Sequence, residues 1–366
     1  MVRKYLPKDM EGFVHLYERY ISPVSLVAGF FADNLILLRR VDLIRSNALL
    51  LFYLIICALG IIFTNLVAGG KIKNETLQRS APVVFIVMQF AFGGLFSGYL
   101  SLYSRSASVA ASWLFVLVLA GLLLGNERFM RFYHKFTFQI SLYFTTIFSF
   151  LIFFLPVIFH SIGNIMFLIS GAASLGVITL FLMLLRSLVP KIEKQNRTKT
   201  ARSIAVIFIV FNVLYFNNLI PPLPLALKSA GVYHSITRTG DVYTLTKEPV
   251  PWYKSFLNYN TEFHVVEGDT AYVYTAIFAP SGLSTAVVDV WQKYDESQKS
   301  WETVGKISFS ILGGRDGGYR GYSARENIEA GDWRVNVLTP SGRLIGRVSF
   351  TTVIVPAPID LVTETQ

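Results

Sequence analysis

Before about Leu227 the chain consists of runs near 20 residues long that carry almost no charge, joined by short basic loops. Such runs have few ways to fold. Lipid offers a backbone no hydrogen-bond partners, so a run that enters it must satisfy its own N–H and C=O groups as a helix. About 20 apolar residues then cross the hydrocarbon core. Six segments meet that test unaided: Ala48–Ala68, Pro82–Tyr103, Val109–Gly125, Phe136–Phe159, Ile165–Leu185 and Ser203–Ile220. In Ala48–Ala68 thirteen residues are Leu, Ile, Phe or Val. Each of these contributes about −0.3 to −0.6 kcal/mol at mid-membrane. A seventh segment, Ile21–Leu38, is marginal. Its ten such residues supply about −3 to −6 kcal/mol, and Asp33 alone costs about +2.5 to +3.5. It either spans with help from its neighbours or enters as a re-entrant piece. The expectation is a polytopic α-helical membrane bundle of about seven transmembrane helices over residues 21–220.

Charge divides the chain at the same place. Residues 1–227 hold 20 Lys+Arg against 8 Asp+Glu, and residues 228–366 hold 13 against 15. The basic residues fall in loops between apolar runs rather than on one clustered face, so the net charge of +10 reads as membrane topology and not as nucleic-acid binding. One side would carry Arg3, Lys4, Lys8 and Arg19, then Lys71, Lys73 and Arg79, then Arg128, Arg131 and Lys135, then the run from Lys191 to Arg202. The positive-inside rule puts that side in the cytoplasm and the C-terminal region outside it. Residues 1–20 lack the apolar core and cleavage site of a signal peptide. Phe13, Leu16, Tyr17 and Tyr20 make one apolar stripe, which fits a cytoplasmic interfacial helix or one packed on the helix ends.

The strong helices hold no ionisable group in their central stretches. Asp33 is the lone acid at that depth, a gate or ion ligand on one reading and a structural partner of Arg39, Arg40 or Arg105 on another. Asp33, Arg105 and His160 are the candidate polar set of the membrane half. Small residues recur at helical spacing: Gly94 and Gly98, Gly121 and Gly125, Ala172 and Gly176, and Ser141, Thr145 and Ser149. They permit close packing within one bundle, or form the seam of a homo-oligomer.

From about Asp241 the period changes to two. Ile307, Phe309 and Ile311 alternate with Lys306, Ser308 and Ser310, and Trp333, Val335 and Val337 alternate with Arg334 and Asn336. Thr339–Gly342 reads as a turn, with Arg343–Val353 returning. Tyr272–Phe278 and Val287–Tyr294 form an earlier pair around Ala279–Gly282. Short strands at this spacing imply an all-β, Ig-like antiparallel sandwich over residues 269–366. Residues 221–268 are expected as a connector along the outer membrane surface, with Trp252, Tyr253, Phe256 and Tyr259 as interfacial anchors.

A resemblance rests on particular residues. Tyr274–Pro280, Gly313-Gly314-Arg315 with Gly318-Tyr319-Arg320, Gly331–Val335 and Gly342–Gly346 are similar to a bacterial domain of unknown function (domain of unknown function 2914). The runs Glu18–Pro23 and Gly29–Leu35 resemble the membrane part that precedes it in such proteins. The resemblance implies a bacterial inner-membrane protein, multi-pass, with a periplasmic or cell-surface β domain. It implies no reaction and no catalytic residues.

The residues themselves point the same way. Gly313–Gly318 could hold an anion through free backbone N–H groups, with Arg315 and Arg320 beside it and Tyr319 and Tyr322 as stacking surfaces. No GK[ST] follows, so a nucleotide loop is not supported, and a wide loop joining two strands is the plainer reading. His15, His134, His160, His234 and His264 show no metal-ligand spacing. Cys57 sits mid-helix as a packing residue and excludes a disulfide framework. Neither a nucleophile elbow nor a catalytic carboxylate pair is present as a motif, and no cofactor or metal is called for. Asp295-Glu296 reads as a solvated hairpin tip. The expected function is non-enzymatic: a membrane-anchored exterior β domain that binds an envelope protein or glycan. A transporter through the bundle, or an integral-membrane enzyme acting on lipid or glycan, are the alternatives.

Overall fold

The computed structural model describes residues 42–106, 109–129, 132–249, 262–315 and 317–366. The chain forms two compact units, one helical and ending at Ile220, the other β-rich and starting at Pro221. The segment Ile21–Leu38, the helix at 1–20, Asp33 and the anchors Trp252, Tyr253, Phe256 and Tyr259 lie outside the described residues.

Seven helices are described: α1 (Ile44–Ala68), α2 (Glu75–Arg79), α3 (Ala81–Ser106), α4 (Val109–Phe129), α5 (Phe136–Phe159), α6 (Asn164–Leu188) and α7 (Pro190–Phe216). Five of them, α1, α3, α5, α6 and α7, are long and apolar enough to cross a membrane. Of the about seven spans expected, five are found among the described residues. In α4 the apolar stretch with described side chains is shorter, Trp113–Asn126. The last helix also departs from expectation. It begins at Pro190 rather than Ser203 and carries the basic run as its first turns. Pro190 at the first helical turn, good helix formers after it and the Glu193–Arg197 pair at i,i+4 explain the extension.

Helix α5 is the centre of the helical unit and packs against α1, α6 and α7. Aromatic rings fill that contact. Phe148 stacks on Phe211 at 4.6 Å between centroids and Phe167 on Tyr215 at 3.6 Å. Small residues make room. A Cβ on Gly94 would meet the Tyr53 ring, and one on Gly171 would meet Phe208 and Phe148. Ser141 of the α5 stripe bonds Ser203 of α7 at 2.6 Å, so that stripe is a seam inside the bundle. Neutral amides and hydroxyls satisfy one another at buried positions. Asn65 donates to Gln139 Oε1 at 2.6 Å, and Tyr133 donates to Asn126 Oδ1 at 2.9 Å. The outward faces are apolar instead: Leu59 is 60% exposed, Leu180 67% and Ile209 58%. That inversion is what a lipid solvent selects, and in water it would be an aggregation surface. The five spans suggest a multi-pass membrane protein.

In the β-rich unit the strands are β1 (Ala226–Tyr233), β2 (Ser235–Thr239), β3 (Val242–Lys247), β4 (Glu262–Val265), β5 (Ala271–Phe278), β6 (Ser284–Asp295), β7 (Ser300–Leu312), β8 (Tyr319–Arg325), β9 (Gly331–Leu338), β10 (Leu344–Ile354) and β11 (Val362–Thr365). They form sheets ordered β1-β5-β8, β4-β10-β9-β6-β7 and β11-β3-β2. All pairings are antiparallel except β4 with β10, which is parallel. Three differences from expectation follow. Residues 221–268 hold β1 to β4, so this stretch supplies strands rather than only a connector. A third sheet stands beside the two expected of a sandwich. Strands β5 and β6 do not pair as a hairpin either: β5 lies between β1 and β8, and β6 between β7 and β9. The turn at 279–282 therefore carries the chain from one sheet to another. The hairpin of β9 and β10 around Thr339–Gly342 is present.

Alternation along β5 explains the layering. Ala271 and Val273 join Trp291, Trp333, Val335, Val348 and Phe350 in the core against the five-stranded sheet. Tyr274 and Ala276 point the other way and pack on Ile236, Tyr243 and Leu245 of the third sheet. Strand β5 is thus buried on both faces, and it reads as a nearly continuous apolar run for that reason.

Candidate functional site

The glycine-rich loop between β7 and β8 is held by its own backbone. Gly313 N–H donates to Leu283 O at 2.9 Å, Gly314 N–H to Ala279 O at 3.0 Å and Gly318 N–H to Arg315 O at 3.1 Å. Three of the donors expected to face an anion are therefore taken. The glycines have steric reasons as well. A Cβ on Gly313 would lie 1.8 Å from Pro280 O, and Gly318 combines φ +88° with backbone of Ile277 at 2.9 Å. The loop is clamped onto the turn at 279–282.

Arg315, Tyr319 and Arg320 do come together, around Asp241 in the β2–β3 turn. Arg315 Nη2 lies 4.0 Å from Asp241 Oδ1, and its guanidinium sits 5.8 Å from the centroid of the Tyr319 ring. Arg320 Nη1 donates to Asp241 O at 3.0 Å. These are exposed contacts, with Arg315 55% and Asp241 83% accessible, and such pairs contribute little to stability. Tyr322 stands apart, exposed and 6.2 Å from the Tyr272 ring. Of the membrane set, His160 is exposed at the end of α5, in the left-handed region at φ 49°. Asp33 and the side chain of Arg105 are outside the described residues, so the three are not placed relative to one another.

Two polar clusters were not read from the sequence. In the first, Glu248 follows β3 and bridges two imidazoles. His234 Nε2 lies 3.4 Å from Oε1 and His264 Nδ1 2.9 Å from Oε2, while the His264 backbone N–H donates to Oε1 at 2.7 Å. Burial pushes the Glu248 carboxyl up, but these hydrogen bonds outweigh it and hold the group below its ordinary value. Each carboxylate oxygen already serves an imidazole nitrogen, so the cluster ties the β1–β2 junction to β4 as a clamp. Among the described residues no three such side chains are arranged to hold a metal ion. Glu248→Ala is expected to destabilise the β-rich unit by about 1–3 kcal/mol, because it leaves the His264 N–H unpaired. Thermal unfolding of the full chain in detergent checks this, and an unchanged midpoint would count against the clamp.

The second cluster is deeper. Trp291 Nε1–H donates to Ser323 Oγ at 3.1 Å, and the Ser323 hydroxyl donates to Asp289 Oδ2 at 2.7 Å. Asp289 is fully buried, and among the described residues its Oδ1 has no hydrogen-bond partner. Burial pushes its carboxyl up to about 6, with the Ser323 bond acting in the opposite sense. Among the described residues the Ser323 hydroxyl bonds only Trp291 and Asp289 and is itself buried, which fits a structural chain.

At the end of the β6–β7 hairpin a cleft of about 670 Å³ is lined by Asp295, Glu302, Glu329 and Asp332 among others. Three of these acids are satisfied within the protein. Asp295 accepts from Ser297 and Gln298, Glu329 pairs with Lys293, and Asp332 accepts from Thr351. The tip at Asp295-Glu296 is the solvated hairpin end expected of it.

The five candidate spans and the sheets together suggest the class: a multi-pass membrane protein with a C-terminal β domain. Within that class, residues 284–352 match the family described as "Protein of unknown function (DUF2914)", so the chain carries that domain at its C-terminus. No curated protein matches the chain. Among solved structures, an immunoglobulin-like protein from Pseudomonas aeruginosa is 12% identical, covering 36% of this chain and 98% of that one with a TM-score of 0.21. The Pseudomonas fluorescens alkylpurine DNA glycosylase AlkC, bound to DNA containing an abasic site analog, is 11% identical, covering 86% and 99% with a TM-score of 0.22.

Proposed function

We propose that the β-rich unit is a binding module of the bacterial envelope, held outside the cytoplasm by the helical bundle of the inner membrane. The observation that carries this reading is the chain's direct passage from the last span into the β unit. Helix α7 ends at Phe216 and β1 starts at Ala226, so the module is tethered at the surface that α7 reaches. The basic residues gather at the other end of α7, from Lys191 to Arg202, which the positive-inside rule assigns to the cytoplasm. The ligand is an envelope protein or glycan, bound without chemical conversion.

Cysteine accessibility tests the placement. Cys57 is buried and is replaced by serine, and Gln298→Cys supplies one exposed thiol at the β6–β7 hairpin tip. An impermeant maleimide is expected to label cells whose outer barrier has been opened but whose inner membrane is intact. Labelling only after lysis would place the module in the cytoplasm and overturn the reading.

A further inference from the structure

The outer face of the five-stranded sheet carries two cations with no counter-ion among the described residues. Along β9, Trp333, Val335 and Val337 point into the core, so Arg334 and Asn336 point out. Along β10, Val348 and Phe350 point in, so Arg347 and Ser349 point out. Register sets them side by side: Gln292 of β6 faces Arg334, Arg334 faces Ser349, and Asn336 faces Arg347.

Neutral amides hold both guanidinium groups. Arg334 Nε donates to Gln292 Oε1 at 2.7 Å, and Asn336 Nδ2 donates to the same oxygen at 2.8 Å. Arg347 Nε donates to Asn336 Oδ1 at 2.6 Å. Gln292 is anchored in turn by its donation to Thr303 Oγ1 at 3.0 Å. Each arginine thus spends Nε on an amide oxygen, and among the described residues no hydrogen bond engages its Nη atoms. Neither forms an ion pair there. The nearest acid along β9, Asp332, is turned to the Thr351 hydroxyl at 2.6 Å. Lys306 of β7 adds a third, exposed cation opposite Val290.

Both arginines are half-buried. Burial lowers the proton affinity of each, and for Arg334 the charge of Arg347 adds to it. A protein that keeps two partly desolvated like charges together normally offsets them with a carboxylate. Here the amide clamps fix two guanidinium planes and leave their forks to an outside acceptor. Arginine forks match the paired oxygens of carboxylate and phosphate. Beside them lies an aromatic surface. Arg334 covers Trp301 at 4.2 Å, and Tyr294 packs on Trp301 at 5.2 Å between centroids, both rings partly accessible. The C–H face of a sugar ring stacks on the accessible part of such ring faces.

We infer that this face is a binding site for an acidic sugar, in which Arg334 and Arg347 hold its carboxylate or phosphate and Gln292 and Asn336 position them. The inference deepens the binding-module reading, because it names the ligand class.

Isothermal titration of the full chain in phosphatidylcholine nanodiscs tests it, with glucuronate, glucose 6-phosphate and glucose as probes. At least one of the two acids is expected to saturate a single site while glucose does not, and the affinity falls as salt is added. Stronger binding of glucuronate assigns a uronate-type ligand, and stronger binding of glucose 6-phosphate assigns a phosphorylated one. Arg347→Gln is expected to weaken binding at least tenfold with the unfolding midpoint kept or raised. Asn336→Asp puts an internal carboxylate beside Arg347 at the cost of the hydrogen bond to Gln292 Oε1, and it is expected to abolish binding. Saturation by neither acid, or equal affinity in the Arg334→Gln/Arg347→Gln double variant, overturns the inference. Such a failure leaves the exterior placement of the module standing, because maleimide labelling reads that separately.

Discussion

Trp291→Ala is expected to cost the β-rich unit about 3–5 kcal/mol, the range for truncating a large aromatic side chain in a packed core. Trp291 is 1% exposed and stands in β6 between β7 and β9. Its ring meets Trp333 and Phe350 edge-on, each at 6.4 Å between centroids. These contacts join three adjacent strands of the five-stranded sheet, and Val273 brings the opposing sheet into the same core. Alanine would open a cavity there and remove the indole N–H that donates to Ser323. Trp291→Phe keeps most of the packing and loses only the hydrogen bond, so a loss of about 1 kcal/mol is expected. Thermal unfolding of the full chain, followed by far-UV circular dichroism at a sheet-sensitive wavelength, distinguishes the variants. Equal midpoints for Ala and Phe would mean that the ring is not central to the core.

The same tryptophan marks how far the sequence could be read. Period-2 alternation placed Trp333 inside, and its burial agrees. For Trp291 the sequence alone does not choose between core and stacking surface, because strand polarity is fixed by which sheet a strand joins. That information is non-local. The expected pairing of β5 with β6 failed for the same reason: a Pro-Gly turn between two apolar strands looks alike whether the chain reverses within a sheet or crosses to another. The membrane half was more legible, since a 20-residue apolar run has one solution in lipid. Even there the start of α7 was missed, because the run Lys191–Arg202 reads as a charged loop in hydropathy and as a good helix in propensity. The candidate sites were the least legible. Glu248 is separated by 14 residues from His234 and 16 from His264, and no spacing rule joins them before β1, β3 and β4 are placed. Arg334 and Asn336 were visible as the polar phase of β9. Their lack of a counter-ion appears only when β6 and β10 are laid beside them.

Asp289 predicts the sign of the pH dependence of the β-rich unit. Its carboxyl is pushed up from an ordinary 3.8 to about 6 in the folded chain, because burial opposes the charge and only Ser323 supports it. The folded state therefore holds this proton more tightly than the unfolded state does. Stability falls as pH rises through the window between those two values and is level above it. A gap of about two units corresponds to about 3 kcal/mol. Glu248 acts in the opposite sense and lower on the scale. Its carboxyl is held below 4.5, so its contribution is present above that value and disappears as pH falls further. Between pH 5 and 7 the Asp289 slope should therefore dominate these two. Asp289→Asn removes the ionisation, and the variant is expected to show a flatter stability profile over that interval. At pH 7.5 its gain is reduced by the buried amide N–H that replaces the unpartnered Oδ1, about 1–3 kcal/mol, which makes the slope the sharper readout. Unfolding midpoints of parent and variant at pH 5, 6 and 7 supply it. Parallel profiles would show that Asp289 keeps its charge in the fold, and that Oδ1 has found a partner such as a buried water.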